Sequence, residues 1–561
     1  MFAQIPTLAV PDIAWSAIAP ELVLFGFGIL VLLLDTAGRN RLQAAFAAGA
    51  LLLTAAGLGL ALTGEVVLPG LVALVAVLQF ALVALWRDRS RMLAALLTAI
   101  GFAAGFGTTV WRWAATSGRA VLVGGPGDGQ PVVAAQSLLV DMVAEDGVAL
   151  FTRFTICAAG LLTVPLGFSY LEERRVHRGE YYPLLLFAAT GMTLLASSAD
   201  LIMVFISIEI LSLALYVMTG FAKSDLRAQE AALKYFLLGA FSSAILLYGI
   251  ALSYGLSGST NIAAVGRAMA ALDAPAGLGL AAMGLLLVGL AFKTALVPFH
   301  MWTPDVYQGA PTPVTGFMAA ATKAAAFAAF LRIFVGGFAA LQWTWEPVLQ
   351  VLAVLTMLVG AVLAVVQDDV KRILGYSAIA HAGYVLIGLV AGTREGVSAT
   401  LFYLLVYAFM SLGSFGVLSL LERQRRKAMS IEDLRGLGRR YPVPAGMFAL
   451  FLLSLAGIPP TAGFAAKFAV FRAGIEAGDV GLVVVAVVSS VIAAFFYVRI
   501  IFAMFMDEPG AATVAADETS PLTVPTGLFA GLATAAAAVV VLGVLPSALI
   551  ELARRAATFA A

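Results

Sequence analysis

The chain has 561 residues, of which 62% are hydrophobic and only 12% charged, with a mean hydropathy of +1.00. Soluble globular proteins carry roughly 25% charged residues, so this composition excludes an ordinary water-soluble domain. A net charge of +1 gives no hint of a nucleic-acid partner, and a single cysteine, Cys157, excludes a disulfide framework.

A bilayer core takes roughly 20 residues of apolar helix, and about sixteen stretches of spanning length follow one another along the chain. They cover 20–36, 42–62, 67–86, 91–113, 146–170, 181–198, 200–221, 228–255, 278–296, 312–335, 348–366, 371–391, 398–421, 443–473, 480–506 and 521–549. The ten-residue alternation of a transmembrane barrel is missing. The expected fold is therefore an all-α polytopic membrane protein of 14–16 transmembrane helices. The spans group as two helices in 1–66, an apparent extra pair in 67–113, and a loop with the following helix in 114–180. Five-helix runs in 181–335 and 348–506 come next, then a last helix in 521–561. No basic n-region precedes the first apolar run, which predicts no cleaved signal peptide. There is no P-loop, HExxH or dinucleotide fingerprint, and three histidines without clustered Cys/His spacing predict no metal centre.

Lysine and arginine in short loops set orientation. They follow the odd spans: Arg39 and Arg41, then Arg87, Arg89 and Arg91, then Arg174, Arg175 and Arg178. Lys223 and Arg227, Lys371 and Arg372, and the cluster from Arg423 to Arg440 continue the pattern. Odd spans are thus expected to end in the cytoplasm, with both termini outside.

Two spans are interrupted by proline: LAFKTALVPFHMW (Leu290 to Trp302) and LSLAGIPPTAGFAAKF (Leu453 to Phe468). Each is the fourth member of a run of five, and a unit with an odd number of spans enters the membrane inverted when it repeats. Paired broken spans in matching positions are the pattern of inverted-repeat ion transporters. Broken backbone at membrane depth must line a cavity or be packed in protein.

A charge at the bilayer centre costs about 2.5–3.5 kcal/mol on insertion scales, so the charged residues within spans are informative. They are Glu209 in LIMVFISIEILSLALYVM, Lys234 in ALKYFLLGAFSSAILLYG, and Lys293, Lys323 and Lys467; His300 and His381 accompany them. At 1.5 Å per residue, Glu209 lies roughly 13 Å from the outer face and Lys234 roughly 9 Å from the inner one. In a core of about 30 Å their depths differ by about 8 Å, so long side chains can approach. His300 follows Lys293 by seven residues, two turns along one face where the helix continues past Pro298. A single buried Lys–Glu pair can merely fasten two helices, and a lone histidine such as His381 can be structural. Arg332 and Arg499 near span ends, and with them Arg153, are expected to snorkel to the interface. Four buried lysines against one clear buried glutamate leave positive charge uncompensated, which suits titration better than static pairing. Burial and a nearby carboxylate pull a lysine's proton affinity in opposite senses, and histidine suits a connecting relay.

Several stretches carry a resemblance: the Glu209 span, ALKYFLLGAFSSAILLYG, FHMWTPDVYQGAPTPVTGFM, KRILGYSAIAHAGYVLIG, DLRGLGRRYP and LSLAGIPPTAGFAAKF. Together they resemble the antiporter-like membrane subunits of respiratory complex I, the NADH–quinone oxidoreductase, and most of all the N type. They run in family order over residues 138–506. The resemblance implies about fourteen helices with two inverted five-helix repeats. It implies a regulatory pair of Glu209 and Lys234, and Lys293 as the central proton-binding lysine. His300 and Lys323 would carry the proton to the second half, His381 would continue the link, and Lys467 would be the exit-side lysine. Such a subunit holds no flavin, iron–sulfur cluster or quinone; the whole complex would use NADH, FMN, iron–sulfur clusters and quinone, coupling electron transfer to proton pumping. Its partners would be other membrane-arm subunits and the lipid bilayer, in a bacterial inner membrane. Lys467, where the M type has glutamate, and the missing lateral helix of the L type both favour N. The alternative is a subunit of a multi-subunit Na+/H+ antiporter, which shares the fold; no dedicated sodium site is evident. A third possibility is a scaffold, which the intact charges disfavour.

Overall fold

The computed structural model describes residues 15–36, 90–117, 136–138, 141–271, 277–424, 429–508 and 523–559. The expected spans 42–62 and 67–86, and Arg39, Arg41, Arg87, Arg89, Arg425, Arg426 and Lys427, lie outside these residues. Among the described residues twelve helices are long and apolar enough to cross a membrane. The chain is an all-α polytopic membrane protein.

In order, the helices are α1 (Ala19–Thr36), α2 (Ser90–Ser117), α3 (Gly147–Glu173), α4 (Tyr181–Ser197), α5 (Leu201–Thr219), α6 (Leu226–Ser257) and the short α7 (Ile262–Ala270). Next come α8 (Gly277–Thr294), α9 (Trp302–Gly309), α10 (Thr312–Gly337), α11 (Gln342–Val365), α12 (Val370–Val390) and α13 (Arg394–Gln424). The last are α14 (Pro442–Ala456), α15 (Ala462–Glu476), α16 (Val480–Phe505), α17 (Thr526–Val544) and α18 (Ser547–Ala556). A two-stranded antiparallel ribbon, Gln136–Leu138 with Val143–Glu145, precedes α3. Aspartates cap the N-termini of α3, α5, α6 and α12, each accepting from a backbone N–H that has no partner inside the helix.

The interior is built on α10, α12 and α13, whose apolar windows are each 94% buried. α12 packs against α11, α13, α9 and α15, which places it between the two broken spans. α2, the second member of the expected extra pair, packs directly on α1 and α3.

Both proline-containing spans are broken. α8 stops at Thr294 and the chain resumes helix at Trp302; α14 stops at Ala456 and α15 begins at Ala462. The two breaks share local geometry. Ala295 and Gly457 both take positive φ, and the next amide reaches back five residues, Leu296 N–H to Ala291 and Ile458 N–H to Leu453. α10 is continuous but contains two π-helical stretches, Met318–Thr322 and Leu331–Gly337, and Lys323 directly follows the first. Such stretches are frequent at functional sites.

A second correspondence joins the two runs. Asp200, capping α5, bridges Asn261, and Asp369, capping α12, bridges Ser430. The hydrogen bonds match: Leu201 N–H to Thr260 O and Ile262 N–H to Ala199 O in one, Val370 N–H to Met429 O and Ile431 N–H to Asp368 O in the other.

The expected snorkelling is corrected for two arginines. Arg332 is buried, with its guanidinium forked onto Asp146 at 2.6 and 2.8 Å and its Nε donating to the Ala196 carbonyl. Arg153 is fully buried and donates to Glu21 at 2.6 Å. Each found a carboxylate far away in sequence, so neither needs the interface. Arg499 stays at a helix end, donating to the Val365 and Gln367 carbonyls and to Asp368.

Candidate functional site

Lys293 lies at the end of α8, just before the break. Its ammonium donates to Ser212 Oγ on α5 at 2.7 Å and sits 5.5 Å from the Tyr235 ring centroid. Ser212 stands one turn beyond Glu209 on the same helix, and Glu209 is the carboxylate within electrostatic reach of Lys293. Tyr235 stacks on Trp302 at 4.7 Å, and Trp302 Nε1 donates to the Phe292 carbonyl, so α6, α8 and α9 jointly frame the ammonium. A cavity lined by Tyr216, Ser242, Ser243 and Lys293 has about 10 Å³ for water centres, close to the space one water requires.

The expected Glu209–Lys234 pair is not formed. Lys234 Nζ lies 2.7 Å from both Asp305 and Glu230, and its side chain is 43% exposed. Similar depth and the family resemblance both point to this pair. Rotation separates them: the neighbouring Tyr235 takes the buried side of α6 against Tyr216 and Trp302, which turns Lys234 toward α9. Asp305 also accepts from Arg372 of α12 at 2.6 Å. His300 occupies the stretch between α8 and α9, half-buried; because helix ends at Thr294, it does not continue the Lys293 face by two turns.

Lys323, from the centre of α10, donates to the Ala378 carbonyl on α12 and sits 5.7 Å from the Tyr407 ring centroid. One turn further along α12 is His381. Its Nδ1 is hydrogen-bonded to Tyr403 at 2.7 Å and its Nε2 to Tyr497 at 3.2 Å; Tyr497 also bonds Ser377. Tyr384, the next turn of α12, meets the His381 ring edge-on and faces Lys467, whose ammonium is 4.8 Å from the Tyr384 ring centroid. Lys467 donates to the Ala456 carbonyl at 2.9 Å, where α14 ends, and to Ser490 Oγ at 2.8 Å. The structure thus brings Lys323, His381 and Lys467 together along one side of α12.

Lys293, Lys323 and Lys467 are each only 4% exposed, and each ammonium is held by hydroxyls, carbonyls and aromatic faces. Among the described residues none is in an ion pair. A buried, unpaired ammonium is costly, whereas a serine hydroxyl can donate or accept and so serves both protonation states of an amine.

Sequence reasoning missed Ser212, Ser490, Tyr384, Tyr403, Tyr407 and Tyr497. Their only signal was a hydroxyl inside an apolar span, where it must find a partner. Among the described residues no group of three His, Cys, Asp or Glu side chains could hold a metal ion.

Buried lysines and a histidine with uncharged partners, set around two broken helices in an all-α bundle, define an antiporter-like ion-translocating membrane subunit. The family described as NADH:quinone oxidoreductase/Mrp antiporter, transmembrane, matches residues 198–493. The NADH-quinone oxidoreductase subunit N of Rhodococcus opacus is 52% identical over 68% of this chain and 70% of its own length. A chain of respiratory complex I from Thermus thermophilus superposes with TM-score 0.66 at 36% identity, covering 82% of this chain and 94% of that one. A chain of the Mrp complex from Dietzia superposes at TM-score 0.72 with 22% identity, over 96% and 97% of the two chains, which shows a shared fold. The chain belongs to the subunit N family of NADH-quinone oxidoreductase and is an antiporter-like membrane component of such an enzyme.

Proposed function

We propose that this chain moves protons along the row Glu209, Lys293, Lys323, His381 and Lys467, driven by electron transfer from NADH to quinone elsewhere in its complex. The observation that carries the reading is the set of three interior ammonium groups without a carboxylate partner. Glu209 tunes Lys293, with Ser212 as the hydrogen-bonded contact. His300 lies beside the first break, and Lys234 anchors α9 through Asp305. Lys323 and His381 carry the proton along α12, and Lys467 passes it on.

The runs 181–335 and 348–506 are inverted repeats in this reading. The matched aspartate bridges and the matched breaks support it. Twelve residues beyond each bridging aspartate stand Ser212 and His381, and nine beyond stand Glu209 and Ala378. One position therefore serves both halves with different chemistry. The basic loops face the cytoplasm of a bacterial inner membrane and both termini lie outside. FMN, iron–sulfur clusters and quinone belong to other subunits, and the partners are neighbouring membrane-arm subunits. A sodium/proton antiporter subunit is the second reading, supported by the common fold.

The test is Lys293→Ala in the native complex, with NADH–quinone turnover and proton uptake measured together. An assembled complex with both rates collapsed is expected. Wild-type rates would overturn the relay and leave a scaffold.

A further inference from the structure

Lys371 entered the sequence reading as a loop charge. It is instead buried, 4% exposed, in the first turn of α12. Its ammonium donates to the Ala310 carbonyl at 2.7 Å and to Thr312 Oγ1 at 3.1 Å. The Thr312 hydroxyl donates in turn to Glu422 on α13, itself 5% exposed. The Tyr170 hydroxyl of α3 lies against Thr312 and faces Glu422. A lysine and a glutamate are thus linked through one hydroxyl, at the membrane face that carries the basic loops. Next to them the Arg423–Glu173 ion pair, at 2.7 Å, runs from an enclosed guanidinium to a carboxylate that is 42% exposed.

Two helices lead from this cluster to the proton row. α12 carries Lys371, then Gly375 against Tyr307, then Ala378, which accepts from Lys323. Those positions are seven residues apart end to end, about 10 Å along a helix. α10 begins at Thr312 and carries Lys323 itself three turns on. Tyr307 fills the interval and is within electrostatic reach of Tyr407, whose ring faces Lys323.

We infer that Glu422, Thr312 and Lys371 form the mouth through which protons from the basic-loop side reach Lys323. The step is a proton transfer with no other bond change. Glu422 takes a proton from the aqueous side and gives it to Thr312 Oγ1 as the Thr312 hydroxyl proton passes to the neutral amine of Lys371. Lys371 then gives up a proton, which water molecules along α12 pass to the neutral amine of Lys323. This inference rests on the proton-row reading above. Its competitor is a fixed pair that fastens α10, α12 and α13.

Glu422→Gln keeps the size and an acceptor for Thr312 but cannot carry a proton. In the complete complex, reconstituted in vesicles, it should assemble normally and lower the proton translocation rate at least threefold, with Glu422→Asp recovering part of the loss. Thr312→Val, which leaves Lys371 its bond to Ala310, should do the same, and Thr312→Ser should restore the rate. Lys323→Met is run in parallel. Wild-type translocation in Glu422→Gln with collapse in Lys323→Met would overturn the mouth alone; wild-type rates in both would overturn the row as well. Failure of both Glu422→Gln and Thr312→Val to assemble would also overturn the mouth, because that is the behaviour of a fastening.

Discussion

Lys323 and His381 are joined through one turn of α12: the lysine donates to the Ala378 carbonyl, and the histidine stands three residues further on. His381 lies within electrostatic reach of both Lys323 and Lys467. A single imidazole therefore stands between two buried amines, one from each half of the chain. Both its nitrogens are engaged by tyrosine hydroxyls, which can donate or accept and so can follow a change of tautomer.

The two tyrosines should differ in weight. A net hydrogen bond is worth about 1 kcal/mol, or about fivefold in an equilibrium. Tyr403→Phe removes the 2.7 Å contact and Tyr497→Phe the 3.2 Å one. Coupled NADH–quinone turnover should fall about fivefold in Tyr403→Phe and less in Tyr497→Phe, measured on membranes with equal amounts of complex. The reverse order would place the working hydrogen bond on Nε2.

Arg332 and Asp146 form a buried, forked pair, 5% and 0% exposed. Removing one member of such a pair typically costs about 3–5 kcal/mol, because the other charge stays buried alone. Arg332→Met should strongly reduce the assembled complex in membranes. Asp146→Asn combined with Arg332→Met should recover much of it, since asparagine can still cap α3 by accepting from Ala149 N–H. A double variant as depleted as the single one would show that the loss has another cause.

Gly463, in the first turn of α15, leaves no room for a side chain: a Cβ there would fall 1.8 Å from the Ser454 carbonyl oxygen. Gly463→Ala must push α15 away from α14 and drag Lys467 from the Ala456 carbonyl. Proton translocation should drop several-fold, while Gly481→Ala, with open space around it, should leave it unchanged. Equal rates in the two variants would mean that Lys467 tolerates displacement.

His177 lies in the loop between α3 and α4, buried and hydrogen-bonded to the Tyr182 hydroxyl at 2.9 Å. Burial first, and the Arg91 charge second, hold its imidazole below the ordinary histidine value, with Glu172 opposing. The unfolded loop therefore binds the proton more readily, so the stabilisation is complete above about pH 6.5 and is lost as pH falls. Amide hydrogen exchange in residues 174–180 should accelerate, beyond its intrinsic pH dependence, between pH 7.5 and 5.5. His177→Gln should remove that excess. A loop whose protection does not change with pH would contradict the assignment.

Spans, breaks and the buried lysines were legible because each leaves a local signature: an apolar run, a proline within it, a charge where lipid makes charge costly. Rotation about a helix axis leaves none in a span that is apolar all round. That is why depth allows Glu209 and Lys234 to approach and the resemblance pairs them, although Tyr235 turns Lys234 toward Asp305. Partners distant in sequence were equally hidden. Arg332 near a span end reads as a snorkelling residue, and only the fold brings Asp146 to it. Lys371 was obscured by its position among basic loop residues, although one helical turn is enough to bury it.

The central claim is that one buried row carries protons between the two halves, and His381→Leu tests it most directly. The variant removes the link while leaving all three lysines and their hydroxyl and carbonyl partners in place. In reconstituted vesicles the assembled complex should lose at least four-fifths of its proton translocation, on the order of the 1 kcal/mol scale of a single hydrogen bond or more. Wild-type translocation by a fully assembled His381→Leu complex would contradict the row and leave each half to work alone.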